Sequence, residues 1–172
     1  MFSVAQIISI NISAGGIPKL PVESRVVASA GLSGDGHNHD KHRTPFQAVC
    51  LQDSERLEDL CREGFSLTWG TTGENLTVRN LHVNALPVGT VLEFSGGVVL
   101  ELSKVRKPCY VLDTIDPRLK DAIEGRCGMY AKVIKEGVLT TGETIRVLAP
   151  SIPTRVELPA PNLNNPSHPS RG

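Results

Sequence analysis

The chain has 172 residues, 40% of them hydrophobic and 21% charged, with 18 basic residues balanced by 18 acidic ones. That length gives one domain with its own core. Zero net charge argues against a nucleic-acid partner, which calls for a basic excess. No apolar run approaches the ~20 residues of a membrane-crossing helix, and the start Met-Phe-Ser-Val-Ala-Gln lacks the positive flank of a secretory signal. A soluble, cytoplasmic protein in a reducing compartment is the expectation.

In chain order, Val4 to Ile12 alternates apolar and small polar residues as a half-buried strand does, and Gly15, Gly16 and Pro18 end it. Val22 to Ala30 reads as a second strand. Gly31 to Pro45 holds three of the five histidines and almost nothing apolar, so it is a long polar loop. Phe46 to Leu51 is a short strand in which Cys50 packs as a small hydrophobe. Asp53 or Ser54 caps a helix running to Glu63, stopped by Gly64. Leu57, Leu60 and Cys61 share an i, i+3, i+4 stripe there, which places Cys61 in the core.

The text from Thr68 is turn-rich. Pro87 to Phe94 gives a turn and a strand, and Ser95-Gly96-Gly97 is a hairpin connection into the strand Gly97 to Leu102. Asp116-Pro117 caps a short helix, Arg118 to Glu124, stopped by Gly125. Met129 to Lys135 and Glu143 to Leu148 are the last two strands. The tail beyond Ala149 carries six of the twelve prolines and is expected to be flexible rather than packed. Seven or eight short strands and two short helices predict a mainly β domain, barrel-like or sandwich-like.

Four cysteines stand at 50, 61, 109 and 127 with no C-x-x-C pair. Cys109 is the leading candidate. It follows a strand, precedes a helix start, and comes after Lys104, Arg106 and Lys107. Cations favour the thiolate, which is the nucleophile and the metal ligand. Soft-metal ligation, sulfur carriage as a persulfide, and nucleophilic attack with His37 or His42 as base all remain open, beside a structural role. The loop Gly34 to Arg43, with His37, His39 and His42, resembles a metal or anion site but lacks a fixed ligand spacing. Gly73-Glu74-Asn75 offers amides to a phosphate or heterocycle. Arg126, in a glycine-flanked turn, is suited to gripping phosphate.

In their order these segments resemble the MOSC domain family, named for the C-terminal domain of molybdenum-cofactor sulfurases. The carrying residues are Gly31-Leu32-Ser33-Gly34-Asp35-Gly36-His37, Gln47 to Glu55, Gly73-Glu74-Asn75-Leu76-Thr77, Gly89 to Glu93, Arg106-Lys107-Pro108-Cys109 and Gly125 to Tyr130. The resemblance covers about residues 3 to 149, so residues 1–149 are taken as a MOSC domain and 150–172 as a tail. It implies a closed or partly open β-barrel like that of pyruvate kinase. It also implies that Cys109 is the family's characteristic cysteine, either binding the molybdenum of the pterin cofactor or carrying sulfur. His37, Thr44, Asn75, Arg106 and Arg126 would then line the cofactor. The sequence contains no aminotransferase-like sulfurase domain, so pyridoxal phosphate is not bound, and it has no iron–sulfur cysteine set or flavin fingerprint. A sulfur donor or a flavin or iron–sulfur reductase is therefore expected as partner. The activity implied is reduction of N-hydroxylated compounds, the alternative being a sulfur carrier or cofactor chaperone without turnover.

Overall fold

The structure, a computed structural model, describes residues 3–36 and 44–148. Eleven strands and two α-helices lie among them. They are β1 (Gln6–Ile12), β2 (Leu20–Val22), β3 (Ser24–Ala28), β4 (Gly31–Leu32), β5 (Val49–Asp53), α1 (Ser54–Arg62), β6 (Leu76–Arg79), β7 (Val91–Phe94), β8 (Val99–Val105), α2 (Leu119–Ala122), β9 (Met129–Lys135), β10 (Gly137–Thr140) and β11 (Ile145–Leu148). The fold is mainly β, as the composition predicts.

Eight strands form one sheet in the order β11-β7-β8-β9-β5-β6-β1-β2, and β10-β3-β4 form a second. The large sheet is not closed into a barrel, which corrects the closed-barrel expectation. Its flanks meet only over a short stretch, where Gln6 bridges Thr144 and Ile145 N donates to Ala5 O at 2.8 Å. Among the named strands, only β5 and β6 pair in parallel. A parallel pair needs a long crossover, and α1 supplies it.

Several predicted elements shift. The strand expected from Val22 to Ala30 is broken at Glu23 into β2 and β3. Pro45–Gln47 forms a 3-10 turn, so strand β5 starts only at Val49. The turn-rich stretch after Thr68 contains β6, and β10 follows β9 directly. The helix expected over 118–124 is α-helical only at Leu119–Ala122.

Two cores result. The first lies on the sheets and includes Ile7, Ile10, Leu51, Leu76, Leu92, Phe94, Leu100 and Leu102. The second joins α1 to α2 through Leu57, Leu60, Phe65, Leu112, Leu119, Ile123 and Cys127. Cys61 is not part of it. Although it is four residues from Leu57, it is exposed, with Sγ 3.4 Å from Leu67 O. The buried stripe of this short helix is only as wide as Leu57 and Leu60.

Asp53 joins β5 to α1, but its side chain makes no capping bond to the helix. Oδ2 instead accepts from Val83 N at 2.8 Å, while Oδ1 is buried without a partner. Burial pushes this carboxyl up from its ordinary 3.8 to about 6, against the opposing pull of the Val83 amide. The folded protein thus holds the proton more tightly than the unfolded chain. The linked stability is present in full below pH 4 and disappears as pH rises through about 6. At about 1.4 kcal/mol per pH unit, acidifying from pH 7 to pH 4 should add roughly 3 kcal/mol from this group. Urea melts of wild type and Asp53→Asn across that range should diverge by about this amount, and parallel pH profiles would refute the assignment.

Candidate functional site

The site is built where five neighbouring strands of the large sheet end together. Cys50 on β5 pairs with Tyr130 on β9, and Tyr130 pairs in turn with Lys104 on β8. Leu51 pairs with Leu76, and Leu76 with Ile10. At this level a cavity of about 80 Å³ is lined by Lys19, Gln47, Cys50, Gly73, Asn75, Arg106 and Tyr130.

A buried ion pair braces the cavity. Lys19 Nζ donates to both oxygens of Asp35 at 2.5 Å, with the two side chains only 9% and 2% exposed. Asp35 also accepts from Ser13 N at 3.0 Å and from Asn75 Nδ2 at 2.9 Å. Asn75 reaches on to Asn11 O, and its Oδ1 accepts from Cys50 N at 3.0 Å. Both amide hydrogens of Asn75 are therefore spent on protein, and it serves the cavity as wall. Glu74 turns inward beside it, accepting from Gly70 N, Thr72 Oγ1 and Thr77 Oγ1. The Gly-Glu-Asn-Leu-Thr segment is thus a cross-brace between β1, β5 and β6.

Arg106 follows β8. Its backbone N donates to Gly128 O at 3.1 Å, and its guanidinium turns inward, where Nη2 donates to Thr72 O. Nη1 is buried with no partner, as is Gln47 Oε1 in the same cavity wall. Gly73 makes room for this arrangement. At its φ of +91° a Cβ would lie 2.9 Å from Ile17 Cγ2 and 3.4 Å from Arg106 Nη2. Burial opposes the charge on Arg106, while the Glu74 carboxylate, joined at high pH by ionised Cys50, Cys127 and Tyr130, favours it and holds its pKa above the ordinary arginine value. Burial is also the main influence on Cys50, pushed up to about 11, and on Cys127 and Tyr130, both pushed up. All three are protonated at neutral pH.

Cys109 lies three residues beyond Arg106 and is half-buried. It immediately precedes the 3-10 turn Tyr110–Thr114, and its carbonyl accepts from Leu112 N at 3.0 Å. Leu112 is wholly buried in the second core, so the α1–α2 packing holds the cysteine's backbone in place. Of the three cations preceding it, Lys104 and Lys107 are exposed and Arg106 points into the cavity. Cys127 is buried next to Gly128, where a Cβ would lie 2.1 Å from Leu51 O at a φ of +86°.

The remaining predicted residues are dispersed. Arg126 forms a two-pronged pair with Glu63, both contacts at 2.7 Å, and donates to Ala122 O, tying α1 to α2. Glu63 is held below the usual carboxylate range by that hydrogen bond. Thr44 lines a separate groove of about 560 Å³ along Ala28 to Gly36, which meets the cavity's brace at Asp35. His37, with His39 and His42, lies outside the described residues. Among the described residues no three His, Cys, Asp or Glu side chains gather as a metal site, and no helix is long and apolar enough to cross a membrane. Sequence reasoning missed Lys19, Gln47 and Tyr130. Lys19 follows a Gly-Gly-Ile-Pro turn, and nothing local marks its carboxylate 16 residues away.

A MOSC domain model matches residues 38–146. The chain belongs to the MOSC domain family. It is 30% identical over 129 residues to a protein named "Reductase" from Gibberella moniliformis, covering 70% of this chain and 23% of that protein. It is 31% identical over 144 residues to YflK of Bacillus subtilis, covering 78% of this chain and 63% of that one. The chain thus spans less than two thirds of the length of either relative. Among solved structures, YiiM from Geobacillus stearothermophilus superposes with a TM-score of 0.70 at 27% identity, covering 87% of this chain and 77% of that one. YiiM from Escherichia coli gives 0.68 at 19% identity, over 86% of this chain and 71% of that one, a likeness of fold.

The brace around Asp35 should be costly to break. Asp35→Ala leaves Lys19 buried and unpaired, which should cost roughly 3–5 kcal/mol in urea melts at pH 7. The double variant Lys19→Met/Asp35→Asn, which leaves no uncompensated charge, should lose less.

Proposed function

We propose that this MOSC protein binds the molybdenum cofactor, with Cys109 as the protein's donor to the metal, and that it reduces N-hydroxylated compounds with electrons from a flavin or iron–sulfur partner. The observation that carries the reading is the position of Cys109, a half-buried thiol just past a strand end, one short segment from the polar cavity. The relative named as a reductase agrees with a redox role.

The donor set fits such a group. A thiolate is a soft ligand suited to molybdenum. Cys50 and Cys127 are kept protonated by burial, which leaves Cys109 as the available sulfur at this end of the sheet. The unpartnered Arg106 Nη1 would hold an anionic part of the ligand by a charge-assisted hydrogen bond, and Tyr130 and Cys50 add neutral donors. Thr44 and Asn75 would contribute wall, and His37 and Arg126 would act from the periphery. When bound, the cofactor supplies two-electron exchange at its metal. The chain's own contribution is to fix the sulfur on a packed turn and to present one fixed cation. The half-buried thiol also suits a second reading, in which Cys109 holds one extra sulfur received from a donor protein.

The test is expression in a cofactor-competent host, with molybdenum and pterin measured per chain. Stoichiometric metal in wild type that is lost in Cys109→Ser, yet retained in Cys61→Ala and Cys50→Ala, supports ligation. No metal, together with a mass gain of one sulfur on Cys109, supports the carrier. Metal retained in Cys109→Ser defeats both.

A further inference from the structure

We propose that Asn84 is a positioning residue for Cys109: its side-chain amide grips the Gly128 peptide, from which the Arg106–Cys109 segment hangs. The functional weight of this inference rests on the reading of Cys109 as the donor sulfur, while its mechanical content is tested without any cofactor.

The segment is attached to the sheet by little. The ladder between β8 and β9 ends at Val105 and Met129, and one bond extends it, from Arg106 N to Gly128 O at 3.1 Å. Pro108 has no N–H to add another. Among the described residues, the next backbone hydrogen bond of the segment is the one Cys109 O accepts from Leu112 N, inside the turn that the cysteine opens. The Gly128 carbonyl is therefore the last hold of the sheet on this stretch before the thiol.

Gly128 anchors it well only if something fixes Gly128. Its φ is +86°, and a Cβ would lie 2.1 Å from Leu51 O and 2.6 Å from Gln52 Oε1, so the packing demands glycine. Glycine brings the widest backbone freedom with it. Asn84 removes that freedom. Its Oδ1 accepts from Gly128 N at 3.0 Å, and its Nδ2 donates to Gly128 O at 3.1 Å. A side-chain amide carries acceptor and donor in one plane, so it holds both polar groups of the glycine as a neighbouring strand would. The carbonyl that meets Nδ2 also receives Arg106 N, and a rotation that frees it from one frees it from both. Asn84 is itself firmly placed, in the 3-10 turn Val83–Ala85. Val83 is wholly buried in the first core, and its N donates to Asp53 Oδ2 at 2.8 Å. Asn84 is no part of the cavity wall, so it acts on Cys109 only through the backbone.

The experiment measures how fast dithiodipyridine, a disulfide probe that reacts with thiols in acid as well as in base, labels Cys109 in the metal-free full chain. Every protein carries Cys61→Ala, because Cys61 is exposed, and the buried Cys50 and Cys127 report any general loosening. Asn84→Ala should label at Cys109 about tenfold faster than the parent, because the segment opens more often, with Cys50 and Cys127 unchanged. Asn84→Asp separates positioning from bulk stability. Its carboxylic acid presents the same acceptor and donor to Gly128, whereas its carboxylate has no hydrogen for Gly128 O. This variant should match the parent at pH 4.5 and follow Asn84→Ala at pH 8. Asp53 titrates in every protein, so the ratio to the parent at each pH isolates position 84. Where Asn84→Ala does not fold, the pH profile of Asn84→Asp decides alone. Equal Cys109 rates in parent and variants, an acceleration shared by Cys50 and Cys127, or an Asn84→Asp ratio that ignores pH would overturn the assignment. The reading of Cys109 as a metal donor stands or falls on molybdenum content instead, so the two fail separately.

Discussion

The carboxylate of Asp35 is the tie on which the site depends. It leaves the short second sheet after β4 and accepts hydrogen bonds from Lys19 after β1, from the backbone of Ser13, and from Asn75 before β6. Three separate stretches of chain thus converge on one buried anion. A buried ion pair is no general source of stability, because desolvation offsets much of the attraction. Its effect here is to specify geometry, since the buried Lys19 gives two of its donors to the Asp35 carboxylate. Arg106, by contrast, reaches the same region with one hydrogen bond to the Thr72 carbonyl and the Glu74 carboxylate as its nearby counter-charge.

The topology explains why these groups meet. Pairing β5 with β6 in parallel sends the chain through α1 and the Gly64–Gly73 loop before it returns beside itself. That return sets Asn75 against Cys50, so that Asn75 N donates to Cys50 O and Asn75 Oδ1 accepts from Cys50 N. The loop also brings Thr72 and Gly73 over the end of β8, where they receive Arg106. The helix of the crossover is used twice, because its inner face forms the second core with Leu112, just past Cys109. Packing that makes the parallel pair possible is therefore the same packing that fixes the cysteine.

Much of this was legible locally. The alternation in β1, the Gly64 stop of α1, the hairpin at Ser95-Gly96-Gly97 and the strand end before Cys109 all follow from short-range chemistry, and the structure has them, whereas the capping bond expected of Asp53 goes to Val83 N instead. What was not legible is set by long-range pairing. Leu76-Thr77-Val78-Arg79 is too short to show a period, and it is a strand because β1 and β5 flank it. The cations before Cys109 read as a cluster around the thiol. Arg106 instead turns away from that cluster, because Thr72 and Gly73, some 34 residues earlier, offer its guanidinium an acceptor and a space. The sheet's failure to close is likewise a matter of how its outermost strands meet, which no single segment encodes.

The spacing in Arg106-Lys107-Pro108-Cys109 then acquires a physical meaning. Three peptide steps of 3.8 Å limit the two Cα atoms to about 11 Å apart. Pro108 fixes its own φ and keeps Lys107 out of the helical region, so this short segment is stiff. Its ends are anchored independently, by Arg106 N on Gly128 O and by Cys109 O on Leu112 N. An anion at Arg106 and a soft centre at Cys109, were both bound as proposed, would therefore be held at a nearly fixed separation. A ligand that carries both, joined by a scaffold of that length, would bind with the orientation of each end already specified by the other. A ligand that carries only one would gain nothing from the second anchor. On the proposed function the motif would thus work as a ruler as well as a source of thiol, which is a reason for cation and cysteine to stand so close in one stiff segment.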